Sequence, residues 1–174
     1  MKASKNSRMS KLVDHIEAFV RFFARLAGVL VVALALLILY QAINRYLFND
    51  SSVMIQEIQW HLFDILFLLG LSYALQTDKH VRVDIFYANF SDKTKAIVNI
   101  VSQIFLILPF SIIILYTGYT LVEMSYLQGE ISSDPGGLTH RYLIKAMILV
   151  GFVLVALQSI AEIYKNIKTI RALS

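Results

Sequence analysis

Two stretches of this chain carry no charged residue at all: Leu26 to Asn44 and Ala96 to Val122. A helix needs roughly 20 apolar residues to cross the hydrocarbon core of a bilayer. Within that core every backbone N–H and C=O must be satisfied by the protein, which leaves helices or a closed barrel. The runs lack the period-two alternation of a barrel strand, so they read as helices. Two further segments have similar character. One runs from Gln56 to Thr77 and is interrupted only by Glu57 and Asp64; the other runs from Tyr142 to Ala161 with Lys145 near its start. The fold class expected is all-α integral membrane, a single membrane domain over 1–174, with spans at about 22–46, 56–77, 96–122 and 142–164. The third run exceeds what the hydrocarbon requires, so it is expected to tilt or project.

Composition closes off the alternatives. Hydrophobic residues make up 57% and charged residues 16%, with a mean hydropathy of +0.65. Water-soluble domains carry about 25% charged residues, so there is too little polar surface to coat a soluble globule. The absence of cysteine removes disulfide scaffolds, thiolate nucleophiles, Fe–S clusters and the usual structural zinc sites. The net charge of +4 would suggest nucleic acid only if basic residues clustered on a solvated face, and they do not. No nucleic-acid partner is expected; membrane lipids are.

Lysine and arginine set the orientation. Thirteen of sixteen fall on one side: six from Lys2 to Arg25, four in the second loop (Lys79, Arg82, Lys93, Lys95) and three beyond the fourth span (Lys165, Lys168, Arg171). Only Arg45, Arg141 and Lys145 fall on the other. Both termini are therefore expected in the cytoplasm of a bacterial inner-membrane protein. Tyr46, Trp60, Tyr126 and Tyr142 fall near the proposed outer interface, as aromatic belts do.

The N-terminal apolar run is too long for a signal peptide and no cleavage pattern follows it. Before it, Leu12, Ile16, Phe19, Val20 and Phe23 recur at helical spacing among Lys11, Asp14, Glu17 and Arg21. Residues 1–25 are thus read as an amphipathic helix in the cytoplasmic interface, bending into the first span. The alternative is a straight extension of that span. Ser91 is placed to cap the helix after the second loop, with Asp92 in its first turn. Ser132–Gly137 reads as a turn, in which proline presets one dihedral and glycine supplies positive φ.

Ionisable residues at membrane depth are the main candidates for function. Glu57, His61 and Asp64 stand at i, i+4 and i+7, on one helical face. Four readings are open: a metal set, a proton relay, contact with a membrane partner, or internal pairing of Glu57 and Asp64 with Arg45 or Lys145. One helix supplies poor metal geometry, and nothing polar continues the stripe beyond Ser72. Haem ligation would need paired histidines at one depth, but only His61 lies within a span. Pro109 is expected to kink the third span. The pairs Ala24/Gly28 and Gly70/Ala74 have the spacing that permits close helix approach. No residues support a catalytic, metal-binding or substrate-binding site.

Short motifs add a resemblance. Arg45-Tyr46-Leu47-Phe48 closing the first span, Gln56-Glu57-Ile58 entering the second, Phe67-Leu68-Leu69-Gly70 within it and His80-Val81-Arg82-Val83-Asp84 after it resemble, in that order and spacing, the small DctQ-like membrane subunit of TRAP (tripartite ATP-independent periplasmic) transporters. The loop Ser133-Asp134-Pro135-Gly136-Gly137-Leu138 is similar to the mannitol/chloroaromatic or 2-oxo-acid branch. The resemblance covers roughly 12–164 and implies a non-enzymatic subunit of a sodium-coupled importer of organic acids. It implies two partners, a large membrane subunit and a periplasmic binding protein. It implies no cofactor in this subunit, with sodium held by the large one. The short tail after the fourth span leads to the expectation that the large subunit is a separate polypeptide. On this reading Arg45, Glu57, His61, Asp64 and Lys145 are candidates for the large-subunit interface or for a structural polar stripe. His80, Arg82 and Asp84 form the motif loop, and Ser133, Asp134, Pro135, Gly136 and Gly137 face the binding protein. The alternative from another class is a stand-alone electron- or proton-conducting bundle.

Overall fold

A computed structural model describes residues 2–77, 87 and 90–173. Among these there is helix and no strand. Helix α1 spans Lys2–Leu47, α2 Val53–Gln76, α3 Asp92–Ser102, α4 Leu108–Leu127 and α5 Tyr142–Ala172. A π-helical turn, Gln103–Ile107, joins α3 to α4 into one rod. Four helical units are long and apolar enough to cross a membrane, as expected. Each extends past its predicted bounds at one end or both, because polar residues at the ends continue a helix once the apolar middle has nucleated it.

Local chemistry sets the helix starts. Ser52 caps α2 by accepting from the Ile55 N–H, and Ser91 caps α3 by accepting from the Thr94 N–H at 3.2 Å, with Asp92 following. The π turn lies directly before Pro109. Proline has no N–H for the i−4 carbonyl and its ring crowds that oxygen, and the wider turn accommodates both effects. The perturbation expected at Pro109 is thus taken up as a π-bulge.

The N-terminal segment departs from the expected bend. It is the first part of one unbroken 46-residue helix, about 69 Å long at 1.5 Å per residue. No proline interrupts it, and its single glycine, Gly28, is tolerated in mid-helix. Val13, Val20 and Ala27, spaced by sevens, are buried, whereas Leu12 and Phe19 are exposed. This end is clasped to its neighbours. Glu17 pairs with Lys165 of α5 at 2.9 Å, and the Gln76 side chain donates to the Glu17 carbonyl at 3.3 Å.

Helix α5 packs against every other helix, α1 packs on α2, and α4 meets α5 but neither α1 nor α2 to any extent. Thus α1, α2 and α5 touch one another and α4 packs on α5 alone, an open arrangement rather than a closed ring. Glycine marks the tight crossings. A Cβ on Gly151 would lie 3.0 Å from Leu68 Cβ and 3.1 Å from its carbonyl oxygen, and one on Gly118 would lie 3.1 Å from Leu149 Cδ2. Gly28 and Gly70 play no such part, since a Cβ there would meet nothing within 4 Å. The glycines singled out by spacing are thus not close-approach points among the described residues; spacing does not say which face of a helix meets a neighbour. Near the termini end a buried hydrogen bond from Ser159 Oγ to Gln103 Oε1, at 2.7 Å, joins α5 to the π turn.

Candidate functional site

The end opposite the termini holds a cleft of about 670 Å³ between α2, α5 and the loop joining α4 to α5. Glu57, His61 and Asp64 line one wall, Arg141 and Lys145 the other, and Ser133 and Asp134 the rim. The structure thus brings the predicted stripe of α2 to the basic start of α5. The pairing differs from the expectation.

Glu57 is half-buried and is held by the loop rather than by a cation. Ser132 Oγ donates to its Oε1, and the Leu138 N–H donates to its Oε2 at 2.5 Å. The loop is shaped for this grip. Ser132 N–H donates to the Leu138 carbonyl at 2.9 Å, and Gly137 N–H donates to the Asp134 carbonyl at 3.0 Å. The second bond closes a turn with Pro135 at i+1 and Gly136 at i+2, where φ is +81°. That is the conformation in which glycine is strongly preferred. Gly137 is required for a different reason. A Cβ there would collide with Ser132 and come within 2.9 Å of Glu57 Oε2.

Lys145 pairs with Glu130, and Arg141 Nε lies 4.0 Å from the same carboxylate. The lysine hydrogen bond holds the Glu130 carboxyl below the usual carboxylate range. Arg45 donates to the Tyr46 hydroxyl at 3.0 Å and lies over that ring, 4.8 Å from its centroid. Neither Arg45 nor Lys145 therefore meets Glu57 or Asp64, and internal pairing as foreseen is absent. Glu130 is the residue that sequence reasoning missed. Its signal was available, as an acid near the end of the third span facing Arg141 and Lys145 across a short loop.

Asp64 is left over. It makes no hydrogen bond or ion pair with any described residue, and it is exposed on the surface of the subunit. It stands eleven residues into the 24-residue α2, about 17 Å from the start at 1.5 Å per residue. That is mid-span. A carboxylate at such depth costs roughly 2.5–3.5 kcal/mol on insertion scales. His61, half-buried, likewise has no hydrogen-bonding partner among the described residues. Among the described residues no group of three acidic or histidine side chains converges as a metal set. His80, Arg82 and Asp84 lie outside the described residues.

A second, apolar groove of about 810 Å³ continues the same seam toward the termini end, walled by Leu71, Leu75, Phe110, Phe152 and Val155. Asp64, Leu68, Leu71 and Leu75 share one face of α2; Lys145, Ile148, Phe152 and Val155 share one face of α5. The two grooves form one track, polar at one end and apolar at the other.

The family model for the DctQ component of tripartite ATP-independent periplasmic transporters matches residues 34–169. The chain belongs to the DctQ family. The match contains the stripe, the Glu57-gripped loop and two of the four spanning units in full; it begins within α1 and ends within α5. No curated protein matches the chain. DctQ proteins are components of a transporter and not enzymes. This DctQ chain is thus the small subunit of a TRAP transporter and a multi-pass membrane protein.

Proposed function

We propose that this DctQ chain is the scaffold of a sodium-coupled organic-acid importer in a bacterial inner membrane. It holds the large permease subunit in place and helps to seat the periplasmic binding protein. One observation carries the reading: the four spanning units form an open row, α1, α2 and α5 in mutual contact and α4 on α5 alone, with their polar groups on an outer face. An open row has no lumen through which a solute could pass, and a carboxylate on its face needs a neighbour. Sodium and substrate belong to the large subunit on this reading. The thirteen-to-three bias of basic residues supports termini in the cytoplasm, which puts the Ser132–Leu138 loop on the side of the binding protein.

Uptake into vesicles tests this. The chain alone should give no sodium-driven uptake of organic acids, and addition of the large subunit and binding protein should restore it. Uptake by this chain alone would refute the scaffold role. Cysteine chemistry tests orientation against a cysteine-free background. A cysteine at Ser133 should react with impermeant reagents outside the cell and one at Asn89 should not.

A further inference from the structure

We propose that Asp64 receives a lysine or arginine side chain from a transmembrane helix of the large subunit, laid along the α2–α5 seam. The proposal rests on the scaffold reading and names the contact through which it acts. Charge is the first argument. Glu57, Asp64 and Asp134 line the cleft and Glu130 lies against its basic wall, whereas only Arg141 and Lys145 oppose them. Four carboxylates against two cations leave an excess of two negative charges. Both cations already face Glu130, and Glu57 is occupied by Ser132 and Leu138. Two carboxylates are still open, Asp134 on the exposed loop at the rim and Asp64 in the middle of α2; only Asp64 stands at membrane depth.

Depth and shape are the second argument. A charge at mid-span is normally paired within protein, and α2 and α5 provide no pair. Beside Asp64 the cleft is walled by Phe67, Leu68 and Ile148, and the seam continues as the apolar groove past Leu71 and Phe152. From Glu57 to Leu75 the track is about 27 Å long at 1.5 Å per residue, close to the thickness of the hydrocarbon core. A surface that runs the length of the membrane, apolar for most of it and acidic at one level, fits a helix bearing one basic side chain. Electrostatic complementarity of this kind fixes register between partners.

The test uses the full chain co-expressed with its large subunit, with complex recovered by affinity capture in detergent. Asp64→Leu removes the charge and adds none. Because Asp64 has no partner among the described residues, the isolated variant should insert and melt like the native subunit. Its recovery with the large subunit should fall at least tenfold, while Asp64→Glu should retain most of it. Asp64→Lys should abolish the complex, and suppressors selected against it should replace a spanning lysine or arginine of the large subunit with an acid. Full recovery of the complex with Asp64→Leu would overturn the proposal. So would a complex that survives the change but loses a bound phospholipid in native mass spectrometry, which would assign the cleft to a headgroup. If the native pair itself failed to co-purify, the scaffold reading would fall and this contact with it. The native control separates that failure from the others.

Discussion

The carboxylate of Glu57 accepts the backbone N–H of Leu138 at 2.5 Å across 81 positions of sequence. Together with the bond from Ser132 to the other oxygen, it makes one side chain of α2 the anchor of the whole α4–α5 loop. Glu57 is therefore a positioning residue for the loop rather than a docking group. Glu57→Ala should free the loop without preventing insertion. A cysteine placed at Ser133 should then react several-fold faster with a soluble maleimide than in the native background. Glu57→Gln should lie between, since an amide still offers one acceptor oxygen. Unchanged labelling in Glu57→Ala would show that the loop holds its shape without the anchor.

The two glycines of the loop should fail differently. At Gly136 the constraint is φ, and a residue with a Cβ in that region costs about 1–2 kcal/mol. Asparagine tolerates the conformation best among the alternatives, so Gly136→Asn should be milder than Gly136→Val. At Gly137 the constraint is space, because a Cβ would strike Ser132 and crowd Glu57. Gly137→Ala should thus mimic Glu57→Ala in the labelling experiment. Combining Gly137→Ala with Glu57→Ala should add little, because both changes release one contact. Additive effects would separate the two residues.

Acidification should loosen the same loop at its other end. Lys145 holds the Glu130 carboxyl below its ordinary range. A carboxylate depressed in the folded state binds fewer protons than in the unfolded one, so its contribution is complete above the ordinary carboxylate range. It is lost as pH falls through the lower, folded value. The native subunit should melt at nearly constant temperature from neutral pH down to about 5 and then fall, by the reference values for carboxyl groups. Glu130→Gln should flatten the part of that fall due to this pair. An identical acid limb in Glu130→Gln would exclude Glu130 as its source.

How much of this was readable in advance differs from residue to residue. The four spans follow from Leu26–Asn44 and Ala96–Val122, because length and hydropathy alone decide whether a helix can sit in lipid. The Ser91 cap and the Asp134–Gly137 turn were also legible, as their geometry depends on neighbours in sequence. The stripe Glu57/His61/Asp64 was placed correctly on one face, yet its partners were not. Those lie 75 and 81 positions away for Glu57, and a helical wheel carries no information at that range. The choice of Lys145 for Glu57 or Asp64 ignored Glu130, which is nearer in sequence and able to reach it. The bend before the first span was expected from amphipathicity. That pattern looks the same whether the apolar face meets lipid or another helix, and here Val13, Val20 and Ala27 are buried.

The α2–α5 crossing offers a test with built-in controls. Gly151 lets the Leu68 backbone approach so closely that an added Cβ would be 3.0 Å from Leu68 Cβ and 3.1 Å from its carbonyl oxygen. The carbonyl belongs to a helix and cannot move by itself, so Gly151→Ala must push α2 from α5. Overpacking of this kind costs typically 1–3 kcal/mol. Gly28 and Gly70 also sit in spanning helices but face open space, and alanine there should be neutral or slightly stabilising, since alanine is the better helix former. Melting of the three variants in detergent, followed by tryptophan fluorescence from Trp60, should show a clear loss for Gly151→Ala alone. Because Leu68 also lines the cleft below Asp64, the same change should weaken recovery of the large subunit even where the isolated chain remains folded. Equal melting of all three variants would mean that the seam yields to an added methyl. It would then be too soft to fix the register of a partner helix.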